Sequence, residues 1–378
     1  MDTFSKILND SYRRVLRRGN KSFVSDASIR QRVETVVLCL RNRAGVRALL
    51  AGLLAKIQSP AVDIRKPYTD IAGATGGDCY SGRFYDERYV QRLADSPYRF
   101  PINATTAFLT PGFRTKNIVL TMDINLEGRP AEMYKALLEL FDSIQNNRVT
   151  ATTVMDESMR LLVIERDQRQ ASIEKLVRDI NRTADQLPLS AEEIAGLISQ
   201  HLACKNASRL PVLVVAAAYQ AASKRLGEKP QPLHAHTAAD KQTGSMGDVE
   251  ITLINDNNVL TVYEMKLKAV TISDINLALE KLKRHTATIR NYIFITTEPI
   301  SPEVLQYAAE KYDQLGGTEI AILDCLGFLR HFLHLFHGLR TDFINAYQNL
   351  LLAEPESAVS QALKEAFLTL RKAAEGSL

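Results

Sequence analysis

The chain has 378 residues, more than one hydrophobic core usually holds, so two domains are expected. Hydrophobic residues make up 46% and charged residues 24% of the chain, which excludes a fibrous or intrinsically disordered protein. The formal net charge of +4 permits an anionic partner without requiring one.

The cysteine pattern and the apolar segments indicate a cytoplasmic protein with no membrane partner. Four cysteines are widely separated and form no CxxC pair, namely Cys39, Cys79, Cys204 and Cys325. This spacing favours reduced thiols over a disulfide framework or a zinc ribbon. No secretory signal is visible, and the longest uncharged apolar run, residues 210–223, is shorter than the ~20 residues that span a bilayer.

Residues 1–187 are predicted to form a largely helical N-terminal region. Apolar residues recur at helical spacing over 29–57, and further helices are expected to begin near Asp86 and to cover 130–144 and 152–180. Two loops, 73–89 and 103–114, separate these helices, and a weak alternation predicts a strand over 117–124.

The pattern changes at residues 185–190, where Ser190 and Glu193 form a capping-box motif. The second half is predicted to contain helices at 190–203, 211–226, 273–288, 301–314, 326–352 and 357–374, and strands at 248–254, 259–267, 291–297 and 318–324. This order indicates a mixed α/β (α+β) core over 188–325, followed by C-terminal helices over 326–378.

Three polar residues in the consecutive predicted strands 248–254 and 259–267 are the candidate catalytic residues. Glu264 and Lys266 lie on one face of their strand because side chains alternate. Asp248 joins them only in some registers: a two- or four-residue turn places it opposite Met265, whereas a three- or five-residue turn places it opposite Glu264. A bend at Gly247 would also bring it to the right face. The sequence leaves these alternatives open.

If the three residues converge, they suit a magnesium-dependent phosphodiesterase. Asp248 and Glu264 are hard oxygen ligands for Mg²⁺, and the backbone carbonyl of Met265 is a third candidate ligand. Lys266 would stabilise charge developing on the phosphate, or act as a base if its pKa were depressed. The structural alternative is a surface hairpin with a weak Glu–Lys pair.

The motif Asp248…Glu264-Met265-Lys266, with an apolar helix before it and a helix and strand after it, resembles the PD-(D/E)XK nuclease superfamily over about residues 190–325. Gly247 stands where proline often stands in that family. The resemblance implies a mixed central sheet flanked by helices, Mg²⁺ as cofactor and Asp248, Glu264 and Lys266 as catalytic residues. The helix 211–226 carries no carboxylate, so two acidic ligands are expected rather than three.

Within that superfamily the chain looks like a type II restriction endonuclease. Its segments 73–89 and 316–324 look similar to SacI-type endonucleases. This implies a homodimer that cuts a short, palindromic site in double-stranded DNA. No nucleotide cofactor is expected, because Gly76-Gly77 lacks the GK[ST] that completes a P-loop. Residues 1–187 would then recognise DNA, and 326–378 would pack on the core or form the dimer interface.

Base reading favours charged and amide side chains presented from loops. The candidates are Asp78, Arg83, Asp86 and Arg88 in the first loop, Arg114 in the second, and Lys241, Gln242 and Ser245 before Asp248. Each also has a structural alternative. Its contacts would then only stabilise the loop in which it lies, or its segment would only connect two elements.

Two other functions remain open. A repair, junction-resolving or modification-dependent nuclease would use the same core. A DNA-binding module without catalysis would use Glu264 and Lys266 as a structural pair.

Overall fold

The computed structural model describes residues 2–69, 77–103, 106–114, 117–124, 126, 128–181, 188–233, 245–284 and 289–376. The chain divides into two compact units, Met1–Ala171 and Ser172–Leu378. The predicted boundary at 187/188 lies within the second unit, and residues 182–187 are outside the described residues.

The first unit is built from helices around one buried helix. They are α1 (Thr3–Arg18), α2 (Ala27–Val37), α3 (Ala44–Gln58), α4 (Gly82–Arg88), α5 (Ala131–Gln145) and most of α6 (Ala151–Asn181), with 3-10 turns at Val90–Ala94 and Ala107–Leu109. Every residue from Ala44 to Ala55 is buried. A helix that is buried all round lies at the centre of a core, so α3 organises this unit.

Two predictions for the first unit are wrong in detail. The segment 117–124 forms no strand; its Leu120 N–H donates to the carbonyl of Arg65 at 2.8 Å, one contact rather than a ladder. Helix α4 begins at Gly82 instead of Asp86, because the Ser81 hydroxyl caps it by accepting from the Phe84 N–H.

The second unit is a mixed α/β unit, as the sequence predicted at that level. Its elements are α7 (Ala191–Leu202), α8 (Leu210–Leu226), β1 (Glu228–Pro230), β2 (Val249–Leu253), β3 (Val259–Lys266), α9 (Ile272–Arg284), β4 (Asn291–Thr296), α10 (Pro302–Ala309), β5 (Glu319–Asp324), α11 (Cys325–Leu335), α12 (Arg340–Ala353) and α13 (Gln361–Gly376). The Ser190–Glu193 capping box is confirmed, with both of its hydrogen bonds present. Among the described helices, none is both long and apolar enough to cross a membrane.

Within the described part of this unit, five strands form one sheet in the order β1-β2-β3-β4-β5. The β1–β2 and β2–β3 pairs are antiparallel, whereas β3–β4 and β4–β5 are parallel. Strand β1 was predicted as loop, since its three residues carry no apolar alternation, and Pro230 is tolerated there at the sheet edge. One face of the sheet packs against α7, α8 and the C-terminal helices, and the other packs against α9 and α10.

The single helix predicted over 326–352 is two helices. Phe336 leaves the helical conformation at φ −110° and ψ 51°, and a 3-10 turn follows at His337–Leu339. The Arg340 guanidinium donates to the Leu333 carbonyl at 3.2 Å, which satisfies one acceptor at the end of α11. The turn lets α11 and α12 both pack their apolar faces in the same core.

A buried histidine makes the stability of the second unit depend on pH. His201 is fully buried, with Nδ1 2.9 Å from the Tyr347 hydroxyl and Nε2 3.0 Å from the Leu363 carbonyl. Because a carbonyl only accepts, Nε2 carries the proton of the neutral ring. Burial lowers the pKa of His201 from 6.5 to about 4, although the Leu363 carbonyl opposes the shift.

The unfolded chain therefore binds a proton at this residue below its ordinary pKa of 6.5, while the folded chain does not. We expect the free energy of unfolding to fall as pH drops from 6.5 towards 4, by up to about 3 kcal/mol. Urea unfolding across this range tests the expectation. His201→Gln should flatten the slope, and the exposed His334→Gln should leave it unchanged. An unaltered slope in His201→Gln would rule out this origin.

Candidate active site

The hairpin that carries the candidate residues has a β-bulge. Strands β2 and β3 pair antiparallel, and their register shifts between Ile251 and Thr252. Beyond the shift Val249 is level with Tyr263. Had the register near the turn continued, Val249 would pair with Val262, and Asp248 would point to the face of the sheet opposite Glu264. The bulge, and not the turn length considered from the sequence, thus sets the register of this hairpin.

The carboxylate of Asp248 lies at the end of this ladder. Its backbone N–H donates to the Tyr263 carbonyl at 2.8 Å, and its Oδ2 accepts from the Met265 N–H at 2.8 Å. The structure therefore brings Asp248 to the backbone unit that links Glu264 to Lys266. Because the N–H and C=O of a strand residue point to the same edge, the Met265 carbonyl faces this edge too.

Gly247 is required for this approach. A Cβ built on Gly247 would lie 2.6 Å from Val262 Cγ1 and 2.7 Å from the Tyr263 carbonyl oxygen. A proline, as the family pattern often has, would not fit here without displacing β3. The Ser245 hydroxyl donates to the Gly247 carbonyl at 2.7 Å and lies 3.0 Å from Glu250 Oε1. In this structure, then, Ser245, a predicted DNA contact, holds the segment before Asp248.

Glu264 is surrounded by donors from three elements. Its Oε1 lies 2.7 Å from Lys266 Nζ, and its Oε2 lies 3.1 Å from Lys281 Nζ. The Tyr292 hydroxyl also donates to Oε2. Lys281 comes from α9 and Tyr292 from β4. Neither was predicted as a catalytic or metal-binding residue, because their spacing from Glu264 has meaning only after β3, α9 and β4 pack together.

Lys266 has a second acidic partner that was not predicted from the sequence. Its Nζ lies 2.9 Å from Asp274 Oδ1 at the start of α9. The other oxygen of Asp274 accepts from the backbone N–H of Thr271 at 2.9 Å and from its hydroxyl at 2.6 Å. Lys281, Glu264, Lys266 and Asp274 thus form a row of alternating charges, called the lysine–carboxylate row below.

The row shifts the pKa values of Glu264 and Lys266 in opposite directions. Burial acts to raise the pKa of Glu264, but hydrogen bonds from Lys266 and Tyr292 and the charge of Lys281 outweigh it and hold the pKa below its usual value. Burial acts to lower the pKa of Lys266, but its bonds to Glu264 and Asp274 outweigh it and raise the pKa. The alternative role of Lys266 as a base requires a nearby metal to depress its pKa, against the raising effect of Glu264 and Asp274.

The carboxylate oxygens of the site are the type of ligand that Mg²⁺ prefers, but those of Glu264 are already in ion pairs. Mg²⁺ keeps several waters and uses one or two protein carboxylates, which Asp248 and Glu264 can supply with the Met265 carbonyl. Within the described residues, no group of three or more His, Cys, Asp or Glu side chains is close enough to hold a metal. Both oxygens of Glu264 are paired with ammonium groups, so a metal there would either share the carboxylate with a lysine or displace it.

Three loop residues predicted to read DNA lie in local contacts. Asp78 pairs with Lys66 Nζ at 2.6 Å. Arg83 pairs with Glu87 at 2.7 Å, and its side chain is 58% exposed. The exposed Arg88 lies 5.8 Å from the centre of the Phe84 ring. The side chains of Arg83 and Arg88 are accessible to a ligand, whereas Asp78 is held by its ion pair with Lys66, which precedes the loop.

Asp86 differs from its neighbours because it is fully buried. Its Oδ1 accepts from Arg47 Nε at 2.6 Å, and its Oδ2 accepts from the Thr106 hydroxyl at 2.6 Å and the Ala107 N–H at 2.7 Å. A carboxylate enclosed in this way cannot reach a base edge. The prediction that Asp86 reads DNA is corrected to a structural role.

The remaining candidates are one exposed arginine and two residues of the segment before Asp248. Arg114 is exposed. Lys241 and Gln242 lie outside the described residues.

No protein-family model matches this chain, and no curated protein matches it at a significant level. The resemblance to PD-(D/E)XK nucleases therefore stays a prediction from the motif.

Proposed function

We propose that the protein is a Mg²⁺-dependent endonuclease of the PD-(D/E)XK type that hydrolyses phosphodiester bonds in double-stranded DNA. The observation that carries the proposal is the hydrogen bond from the Met265 N–H to the Asp248 carboxylate. It brings the Asp248 carboxylate to the strand that carries Glu264 and Lys266, and two acids with a lysine are the set that phosphodiester hydrolysis with a hard cation uses.

The order of elements supports the same proposal. Helix α8 precedes three strands, α9 follows them, and β4 then lies parallel to β3. Helices cover both faces of this mixed sheet. A mixed central sheet flanked by helices is the arrangement that the resemblance implies for the nuclease core.

The residues of the site have separate tasks in this reaction. Bound Mg²⁺ would supply Lewis-acid polarisation of the phosphoryl oxygen. Asp248 and Glu264 would hold the cation, with the Met265 carbonyl as a further oxygen ligand. Lys266, kept protonated by Asp274, would donate to the phosphate oxygens as negative charge builds up during in-line attack by water.

A type II restriction endonuclease is the specific form that we propose, acting as a homodimer on a short palindromic site. A minimal nuclease needs only the core, whereas site reading needs additional surface, and the first unit of 171 residues supplies it. Breaking both strands of a symmetric site requires two active sites, which a two-fold dimer provides. Analytical ultracentrifugation, with and without duplex DNA, tests the dimer.

Incubation of plasmid DNA with the purified protein, with Mg²⁺ or with EDTA, tests the activity. Discrete fragments that appear only with Mg²⁺ support the type II proposal, and mapping their ends gives the site and the stagger. Random nicking or cleavage of branched junctions would favour a repair or junction-resolving enzyme. Dependence on modified bases would indicate a modification-dependent nuclease. DNA binding without cleavage under every metal condition would leave a non-catalytic binding module.

Arg83 provides a test of base reading, because its exposed pair with Glu87 contributes little to stability. We expect Arg83→Ala to fold normally and, if the side chain reads a base, to lose roughly 1–3 kcal/mol of discrimination at one position of the site. Binding to the cognate duplex and to single-position variants measures this. Glu87→Ala is the matched control. An equal loss on every sequence would make Arg83 a phosphate contact.

A further inference from the structure

We infer that Tyr292 is a positioning residue of the proposed metal site, whose hydroxyl helps to hold the two acidic ligands, Asp248 and Glu264, at a fixed spacing before a cation binds. The inference rests on the proposed function and adds a residue of β4 to the motif residues Asp248, Glu264 and Lys266. Tyr292 performs this task through other residues and not through contact with DNA.

The Tyr292 hydroxyl belongs to a closed ring of four polar groups. It donates to Glu264 Oε2 and lies 3.2 Å from the Met246 carbonyl oxygen. Lys281 Nζ contacts the same two oxygens, at 3.1 Å from Glu264 Oε2 and 3.3 Å from the Met246 carbonyl. The ring therefore joins β3, β4, α9 and the segment before β2.

Met246 connects this ring to Asp248. The Met246 N–H donates to Glu250 Oε1 at 2.6 Å, and its side chain is buried in the same core as the apolar side chains of α9. Asp248 is bonded to β3 through its own N–H and its carboxylate. Because only Gly247 separates the two residues, a shift of the Met246 carbonyl would move Asp248 relative to Glu264. The ring thus links the positions of both acids.

Tyr292 suits this task because its side chain is immobile and its donor is neutral. The side chain is fully buried, and its ring packs against Phe294. A cation bound to Glu264 repels an ammonium group but not a hydroxyl, so the bond from Tyr292 is compatible with a bound metal. Hydrogen bonds that orient a ligating carboxylate in this way typically contribute roughly 10–100-fold to metal affinity.

Hydrogen exchange of the full-length protein in EDTA tests the ring without metal, DNA or cleavage. Tyr292→Phe keeps the buried ring and removes only the hydroxyl. We expect it to raise the exchange rate of segment 245–250 several-fold, and Lys281→Met to do the same, because each removes one contact of the Met246 carbonyl. Tyr307→Phe, which loses a hydroxyl bond between α10 and α9, should leave this segment unchanged. Unchanged exchange in the two ring variants would overturn the inference and leave the proposed function standing.

Calorimetry with Mg²⁺ and with Ca²⁺ tests the effect on the metal site. Mg²⁺ requires near-ideal octahedral geometry, whereas Ca²⁺ accepts variable geometry. We therefore expect Tyr292→Phe to weaken Mg²⁺ binding by about 10-fold and Ca²⁺ binding clearly less, with Tyr307→Phe unchanged for both. Wild-type affinity for Mg²⁺ in Tyr292→Phe, or an equal loss for both cations, would overturn this inference alone. Absence of Mg²⁺ binding to the wild type would overturn the metal site and the proposed function with it.

Discussion

Asp248→Asn is expected to abolish DNA cleavage while the protein still folds and still binds DNA. Asparagine has the same shape, and its amide oxygen can accept from the Met265 N–H as the carboxylate does at 2.8 Å. It lacks the negative charge that holds a hard cation. We expect cleavage to fall by about 10³-fold or more, equivalent to roughly 4 kcal/mol of transition-state stabilisation. Single-turnover cleavage of a cognate duplex at saturating Mg²⁺ measures the loss.

The matched control is Asp256→Asn, at the turn of the same hairpin. Asp256 accepts from the Asn258 N–H at 3.0 Å, far along the strands from Asp248. This variant should cleave as the wild type does. Equal activity of Asp248→Asn and wild type would remove Asp248 from the site, and with it the main support for a nuclease. A loss of DNA binding together with cleavage would indicate that Asp248 acts on the fold of the hairpin instead.

Asp86→Asn is expected to destabilise the first unit by about 3 kcal/mol, since breaking a fully buried ion pair costs roughly 3–5 kcal/mol. The side chains of Asp86 and Arg47 are both 0% exposed. Asparagine leaves the guanidinium without its counter-charge, and its NH₂ group cannot accept from the Thr106 hydroxyl or the Ala107 N–H as Asp86 Oδ2 does. Urea unfolding followed by circular dichroism measures the change.

Glu87→Gln is the control for this variant, because Glu87 is adjacent in sequence and its pair with Arg83 is exposed. It should change the free energy of unfolding by less than about 0.5 kcal/mol. The pair of variants also decides between the two roles considered for Asp86. A normal stability of Asp86→Asn combined with a selective loss at one base pair would restore the base-reading role.

The motif in β3 contains a lysine two residues after a glutamate, and in the structure these two side chains pair with each other as well as with α9. A Glu–Lys pair alone would also fit the structural alternative of a surface hairpin. Partial burial of both side chains and their ion pairs with Asp274 and Lys281 of α9, together with the Asp248 hydrogen bond, favour a functional site over that alternative.

Local patterns in the sequence determined most elements and the candidate residues. Helix α8, the Ser190 cap and strands β2 to β5 were predictable because apolar period, capping residues and turn residues act within one element. Asp248, Glu264 and Lys266 could be singled out because strand alternation is a local rule.

Only the tertiary structure decided the register of the hairpin, the partners of Glu264 and the burial of Asp86. The bulge at Ile251 depends on how β2 and β3 pair, and Asp274, Lys281 and Tyr292 reach the site from elements that follow later in the chain. Asp86 meets Arg47 across the first unit, so nothing next to it in sequence reveals that it is enclosed. Contacts between residues far apart in sequence arise from packing, and packing produces no pattern in the local sequence from which they could be predicted.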